Sequence, residues 1–200
     1  TPEGAVRKIR ELLVPGKRLM IGITGIPGSG KSTLSGKLAA ALPAQAVSMD
    51  GFHMTGETLG RLGLSDRKGA PETFEVDAFL ACLGELRQRD RDTVWCPDYS
   101  RVLHEPVADQ IAVTPEHQVV FVEGNYLLLE EGSWRYVRDY LDVVCYIDVP
   151  IDTAMKRVAL RHRLKQISQE EIDAKIQHTD IPNALRIQQT KHLADWIILE

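Results

Sequence analysis

The chain has little of what several function classes require. Its cysteines, Cys82, Cys96 and Cys145, are three among 200 residues, odd in number and widely spaced. They form neither a disulfide framework nor a metal-ligand pattern, and a reduced, cytoplasmic setting accounts for them. No apolar run approaches membrane-spanning length, and the N-terminal residues carry no signal-peptide core, so no membrane role is expected. Basic excess is also lacking: 24 Lys and Arg stand against 28 Asp and Glu, a net charge of −4. That balance argues against nucleic acid as the main partner. Repeats, low-complexity tracts and Ser/Pro linkers are absent, so residues 1–200 read as one domain, with a small lid at most. Apolar residues make up 44% of the chain, enough for an ordinary globular core.

What is present is concentrated at residues 25–32, Gly-Ile-Pro-Gly-Ser-Gly-Lys-Ser. This is a complete G-x-x-x-x-G-K-[ST] phosphate-binding loop. Gly25, Gly28 and Gly30 let the backbone, through Pro27 and Ser29, wrap a polyphosphate and aim its N–H groups at the oxygens. Lys31 reaches the β- and γ-phosphates of a nucleoside triphosphate, and the Ser32 hydroxyl can be a ligand for Mg²⁺; Thr33 follows in the same cofactor-binding stretch. An apolar run at 19–23 leads in. Leu34, Leu38 and Leu42 then recur every fourth residue, the face of a helix whose N-terminus points at the anion.

Four further apolar runs, at 46–49, 119–122, 142–149 and 196–199, are continuous rather than alternating, as strands covered on both faces are. Helical patterns lie between them, including Val6, Ile9, Leu12 and Leu13 at the start, residues 76–86, and Ala154, Val158 and Leu164. The alternation predicts a mainly parallel sheet of about five strands in an α/β fold. The second run leads into Asp50 and the third into Glu123-Gly124. Ligands in such sheets bind beyond the carboxyl ends of strands, so both acids are expected beside the phosphate loop. A cap or turn role for either acid stays open.

Residues 51–75 hold five glycines together with His53, Arg67 and Lys68, and read as an irregular, substrate-side loop. Between Asp152 and Glu170 lie Lys156, Arg157, Arg161, Arg163 and Lys165 with no acid among them. Arg157 and Arg161 share a helix face at i, i+4, where an anionic ligand would relieve their repulsion. A solvated surface remains the alternative for both segments. His104, His117, His162, His178 and His192 show no ligand spacing and read as surface or packing residues. Trp95, Trp134 and Trp196 read as core. Turn or helix-entry roles suit Asp98 and Asp148 at least as well as catalytic ones.

Several segments together resemble one superfamily. Ser48-Met49-Asp50-Gly51-Phe52-His53 is similar to the Asp-containing motif of the uridine kinase, phosphoribulokinase and bacterial pantothenate kinase group. Residues 67–74, Arg-Lys-Gly-Ala-Pro-Glu-Thr-Phe, resemble the Arg-Lys-Gly-x-Pro-Glu-Ser-Tyr stretch of bacterial pantothenate kinase. Residues 96–101, Cys-Pro-Asp-Tyr-Ser-Arg, resemble its later Pro-x-Tyr-Ser segment. Val122-Glu123-Gly124 is similar to the strand end found across the group. Asp180-Ile181-Pro182-Asn183 is typical of a shorter branch, often labelled fructose transport system kinases or uridine kinase-like proteins. The resemblance runs from about residue 18 onward. It implies a P-loop NTPase three-layer sandwich with a short helical lid over residues 152–180. It also implies ATP and Mg²⁺ as cofactors and a small-molecule hydroxyl as acceptor. Asp50 is then the base or orienting carboxylate, and Ser32 with Asp50 or Glu123 holds Mg²⁺. Arg157 and Arg161 belong to the lid, Asn183 lies near the adenine, and His53, Lys68, Tyr99 and Arg101 face the acceptor. Arg67, Lys68 and Arg101 would suit an anionic or strongly hydrogen-bonding group on that acceptor, with Glu123 at its edge. The sequence departs from the longer relatives at Glu75, often Asp there, and in its shorter lid.

Two other classes stay open: a regulatory nucleotide-binding protein, and an ATPase without a small-molecule acceptor. The only asparagines, Asn125 and Asn183, begin no Asn-Lys-x-Asp guanine-reading motif. No dimer signature is legible, yet relatives in the superfamily are often oligomers, which keeps a homodimer open.

Overall fold

The computed structural model describes residues 2–89, 92–164 and 168–199. Lys165, part of the cationic stretch, lies outside the described residues. The chain opens with helix α1 (Pro2–Glu11) and runs into strand β1 (Leu19–Gly25), buried along nearly its whole length. Helix α2 (Lys31–Ala40) follows the phosphate loop directly, and strand β2 (Ala44–Ser48) comes next. Helix α3 (Gly56–Leu62), helix α4 (Val76–Leu86), and strands β3 (Val94–Ser100), β4 (Glu105–Val113) and β5 (Val119–Glu123) make up the middle. After strand β6 (Val143–Asp148) come helices α5 (Ile151–Arg163), α6 (Gln169–Lys175) and α7 (Ile181–Gln188), then strand β7 (Trp196–Leu199).

The main sheet has the order β2-β5-β1-β6-β7, with every neighbouring pair parallel. All five of its strands overlap the continuous apolar runs, but β7, at the sheet edge, is covered on one face only and leaves Ile197 and Leu199 exposed. Val119, Val120, Phe121 and Val122 are completely buried, as a strand with layers on both faces must be. The sheet order puts the switch point between β1 and β5, so Gly25, the residue after Ser48 and Glu123 meet at one edge.

Two sequence expectations are corrected, and one element was not foreseen. Residues 51–75 are not an irregular loop. They contain α3 and three short 3₁₀ turns, because Thr55 caps α3 through Thr58 N at 3.2 Å and Gly63 ends it at φ 68°. Residues 94–113 hold an antiparallel hairpin that the apolar pattern did not announce. Trp95 is 55% exposed rather than core, since β3 pairs only with β4 and its outer face meets solvent. Trp134 does lie in the core, and its indole N–H donates to the Pro71 carbonyl at 3.2 Å.

Segment 68–75 is anchored from behind by aromatic side chains. Tyr126 donates its hydroxyl to the Gly69 carbonyl at 2.6 Å, and Phe74 packs edge-on against Tyr126 and Trp134. Arg18, buried just before β1, donates to the carbonyls of Leu86, Thr114 and His117 at 2.7–3.0 Å. It thereby ties β1 to the end of α4 and the turn between β4 and β5.

Candidate active site

The phosphate loop sits where β1 gives way to α2. Gly30 caps α2 in the left-handed conformation, with no side chain over the helix end. The first N–H groups of α2 are therefore open to an anion. At Gly28 (φ 81°) a Cβ would stand 2.4 Å from the Ala154 carbonyl oxygen, so only glycine lets the loop seat against α5. Lys31 is buried and folded back, donating to the carbonyls of Gly25 and Ile26 at 3.0 Å each. Burial pushes its amine down to about 8, against the pull of Glu123 and Asp50, and the charge of Arg161 lowers it further. The Ser29 hydroxyl is buried without a hydrogen-bond partner among the described residues. A buried cation on neutral carbonyls, an orphaned hydroxyl and an open helix end fit a polyphosphate.

Glu123 is almost fully buried at the end of β5, and Ser32 donates its hydroxyl to Glu123 Oε1 at 3.1 Å. Burial raises the Glu123 carboxyl, and the nearby Asp50 charge adds to this. Lys31 and hydrogen bonds from Ser48 and Ser32 oppose it. A Cβ on Gly124 would meet the Met49 side chain at 2.6 Å, so the Glu-Gly pair lets β5 close tightly on the turn that carries Asp50. Ser48 accepts from Asp50 N at 3.2 Å and fixes that turn. Two carboxylates and a hydroxyl thus converge beside the loop. No group of three or more acidic, His or Cys ligands exists among the described residues. A one- or two-carboxylate set suits Mg²⁺, which keeps waters and takes phosphate oxygens.

Ser32 and Thr33, adjacent on α2, face different cavities. Ser32 lines a space of about 380 Å³ shared with Ser35, Ser48, Asp50, Asp98 and Glu123, and bordered by Tyr99 and Arg101. Thr33 lines a space of about 600 Å³ with Gly28, Lys37, Ile147, Arg157 and Ile198. The second cavity is largely apolar-walled, and Arg157 reaches the Gly28 carbonyl at 3.4 Å across its rim. Arg161, exposed one turn further along α5, acts on the site through its field at Lys31.

The remaining predicted residues divide. His53 donates Nδ1–H to the Asp50 carbonyl at 2.8 Å and packs its ring on Phe74 and Tyr99. Burial pushes the His53 imidazole down, and Lys68 and Lys175 add to this against the Asp50 charge. Lys68 and Tyr99 do not point into the cavity with free ends. Both donate to the His104 carbonyl at 2.8 Å, with the Lys68 ammonium 5.3 Å from the Tyr99 ring centre. Arg67 pairs with Glu72 and lines a separate cavity with Glu131, Trp134 and Arg186. Asn183, in the first turn of α7, lines neither of the cavities beside the loop. The sequence singled out neither Ser48 nor Lys175 on α6 as a site residue, and left Asp98 between a turn and a catalytic role. Ser48 and Asp98 stand inside the motifs at 48–53 and 96–101, which was the available signal.

Two short helices follow α5 among the described residues. A capping box between Ser168 and Glu171 starts α6, and a π-helical turn (Ile176–Asp180) joins it to α7. Buried His162 meets Asp180 at 3.2 Å, holding α5 to that turn.

Comparison with known proteins agrees with this geometry. The family model "Phosphoribulokinase / Uridine kinase family" matches residues 20–198. A Schizosaccharomyces pombe protein provisionally named a uridine kinase is 34% identical over 181 residues, covering 85% of this chain and 77% of its own. The pantothenate kinase of Limosilactobacillus reuteri is 32% identical over 141 residues, which is 66% of this chain and 46% of the kinase. The crystal structure of a Silicibacter sp. TM1040 protein provisionally named fructose transport system kinase superposes with a TM-score of 0.91 at 34% identity. That match covers 99% of this chain and 98% of the other. The parallel five-stranded sheet with its flanking helices is thus a P-loop NTPase α/β fold, and the chain belongs to the phosphoribulokinase / uridine kinase family.

Proposed function

We propose that this chain transfers the terminal phosphoryl group of ATP to a hydroxyl of a small metabolite held in the cavity of Asp50, Asp98 and Arg101. The observation that carries this reading is the division of space by the phosphate loop and the start of α2. A nucleoside-sized, apolar-walled cavity lies on the Thr33 side, and a polar one lies on the Ser32 side. A switch protein needs the first cavity only. The kinase reading treats the whole chain as one unit, with residues 51–75 on the acceptor side and 152–180 as the lid.

In this reading the loop N–H groups and Lys31 hold the phosphates, and the Lys31 amine follows the charge as it spreads over the transferring group. Ser32 with Glu123 or Asp50 would hold Mg²⁺, which would supply positive charge against that of the phosphates. Asp50 orients the acceptor hydroxyl in line and takes its proton late, since a carboxylate is a weak base for an alcohol. Arg157 and Arg161 approach from α5 and screen the phosphates from water. His53 and Ser48 hold the Asp50 turn, and Arg101 meets an anionic or strongly hydrogen-bonding part of the acceptor.

The test is Mg-ATP consumption against pantothenate, uridine, cytidine, fructose, ribulose 5-phosphate and glycerate, with Lys31→Ala and Asp50→Asn alongside. Phosphorylated product from one acceptor, lost in both variants, supports the reading. Retained ATP binding by Asp50→Asn with a drop of at least 10²-fold in kcat supports its assigned role. ATP hydrolysis at the same rate with and without every acceptor in a wide metabolite screen would favour an ATPase. Binding without turnover in that screen would favour a nucleotide-responsive regulator.

A further inference from the structure

Two thiols that the proposed chemistry does not use stand against each other. Cys82 lies on α4 and Cys96 on β3, and their Sγ atoms are 3.4 Å apart. Both are free, Cys82 half-buried and Cys96 fully buried. Cys145, the third cysteine, is buried on β6.

We propose that Cys82 and Cys96 are a modification site at which a peroxide closes a reversible disulfide, locking α4 to β3. A disulfide spans about 2.05 Å, so the two sulfurs need close by only roughly 1.4 Å. Their contact is a hydrogen bond in which either sulfur can be the donor. It pushes the Cys82 thiol up, with burial adding to this, and holds the Cys96 thiol down. The Arg18 charge also favours the Cys96 thiolate, against burial and Glu85. The chemistry balances without any cofactor. One sulfur, as thiolate, attacks a peroxide oxygen and expels hydroxide, leaving a sulfenic acid. The neighbouring thiol attacks that sulfur and its proton leaves with the expelled oxygen as water, while the proton shed by the first thiol turns the released hydroxide into the second water. Two thiols and one hydrogen peroxide thus become one disulfide and two waters.

The position gives the bond a consequence. The register of β3 against β4 shifts between Cys96 and Asp98, immediately after the reactive sulfur. The Pro97 carbonyl oxygen is pressed against Gly51, so close that a Cβ there would stand 2.4 Å from it. Drawing Cys96 toward α4 therefore moves Pro97 and Asp98 relative to the turn that carries Asp50. Asp98, Tyr99 and Arg101 line the polar cavity. Calling this stretch the acceptor wall rests on the kinase reading, whereas the bond and the movement do not.

The experiment oxidises the whole reduced protein with hydrogen peroxide and counts thiols after unfolding. The expected count falls from three to one and returns to three with dithiothreitol. Peptide mapping should find the Cys82 and Cys96 peptides joined, lighter by two hydrogens. Cys82→Ser and Cys96→Ser should each abolish the joined peptide, and Cys145→Ser should leave it unchanged. Hydrogen exchange over residues 94–101 should differ between the oxidised and reduced protein and should not respond to peroxide in Cys82→Ser. This readout needs no acceptor, so it survives a failure of the kinase reading. Three surviving thiols, or a bond to Cys145, overturn the site. A Cys82–Cys96 bond with unchanged exchange over 94–101 overturns the coupling to the cavity.

Discussion

Lys31 is the residue on which the nucleotide end turns. Its amine, lowered to about 8 by burial, is charged in the free protein only below that pH. Bound phosphates would draw the value back up, so nucleotide binding at pH 8.5 is expected to take up a proton and to weaken as pH rises through 8. Titration calorimetry in two buffers of different ionisation enthalpy measures this uptake, and Lys31→Met should abolish it. The sign for stability is the opposite. The unfolded chain keeps this proton up to its ordinary 10.5, so Lys31 burdens the folded state most below pH 8 and progressively less between 8 and 10.5. Glu123 is the matching case among the acids. Its carboxyl is raised, so its ionisation costs stability as pH climbs through the folded value. Glu123→Gln keeps an acceptor oxygen for Ser32 and Ser48 and removes the buried charge. We expect it to stabilise the free protein by about 1–2 kcal/mol at pH 7, with a smaller gain at pH 4, while depressing Mg²⁺-dependent turnover. Melting curves at the two pH values decide the first part. No gain at pH 7 would mean that the carboxylate is already compensated.

Among the elements, the seam between the phosphate loop and α5 carries the tightest tolerance. A methyl group at Gly28 would enter the Ala154 carbonyl, and the left-handed backbone there is itself unfavourable for alanine. Gly28→Ala should therefore cost about 2–4 kcal/mol and weaken ATP binding, because α5 must retreat with its arginines. Equal urea midpoints for the variant and the wild type would contradict this seam. Arg18 acts elsewhere, as a clamp among β1, α4 and the turn before β5. Replacing it with Met takes a donor from three carbonyls, of which Thr114 keeps the His117 N–H at 3.1 Å, and should cost about 2–4 kcal/mol. Nucleotide affinity, measured well below the melting temperature, should stay within about twofold, since Arg18 touches no part of the loop. The two variants thus separate loss of stability from loss of the site.

For the molecule as a whole, the expected response to ligand is uneven. Saturating Mg-ATP at about 100 times its Kd should add about 2.7 kcal/mol of stability. Hydrogen exchange should slow most over residues 151–163 and 169–188 and least in β1, β5 and β6, which are already buried. Uniform protection would remove the lid from the account. The same contrast explains what could be read from the sequence. Strands covered on both faces, β1, β5 and β6, leave unbroken apolar runs, and β2 and β7 carry such runs too although Ile197 and Leu199 of β7 face solvent; with the runs the edge where Gly25, Asp50 and Glu123 meet was visible. The hairpin was not, because Pro97, Asp98, Pro106 and Asp109 interrupt it and its outer face is wet. The engagement of the Lys68 and Tyr99 polar ends with one carbonyl, and of Arg67 with an acid outside the polar cavity, was also hidden. It depends on a carbonyl at His104 and an acid at Glu72, partners that residue type alone does not announce. The Cys82–Cys96 contact joins two elements 14 positions apart in the chain and has no periodic signature.

The hairpin of β3 and β4 shares no hydrogen-bonded ladder with the five-stranded sheet. Its residues can therefore be exchanged without disturbing the register of the strands that seat the phosphate loop. If the hairpin does face an acceptor, as proposed, descendants of one ancestral chain could trade one acceptor for another by rewriting about twenty residues, while the strands around the phosphate loop are inherited intact.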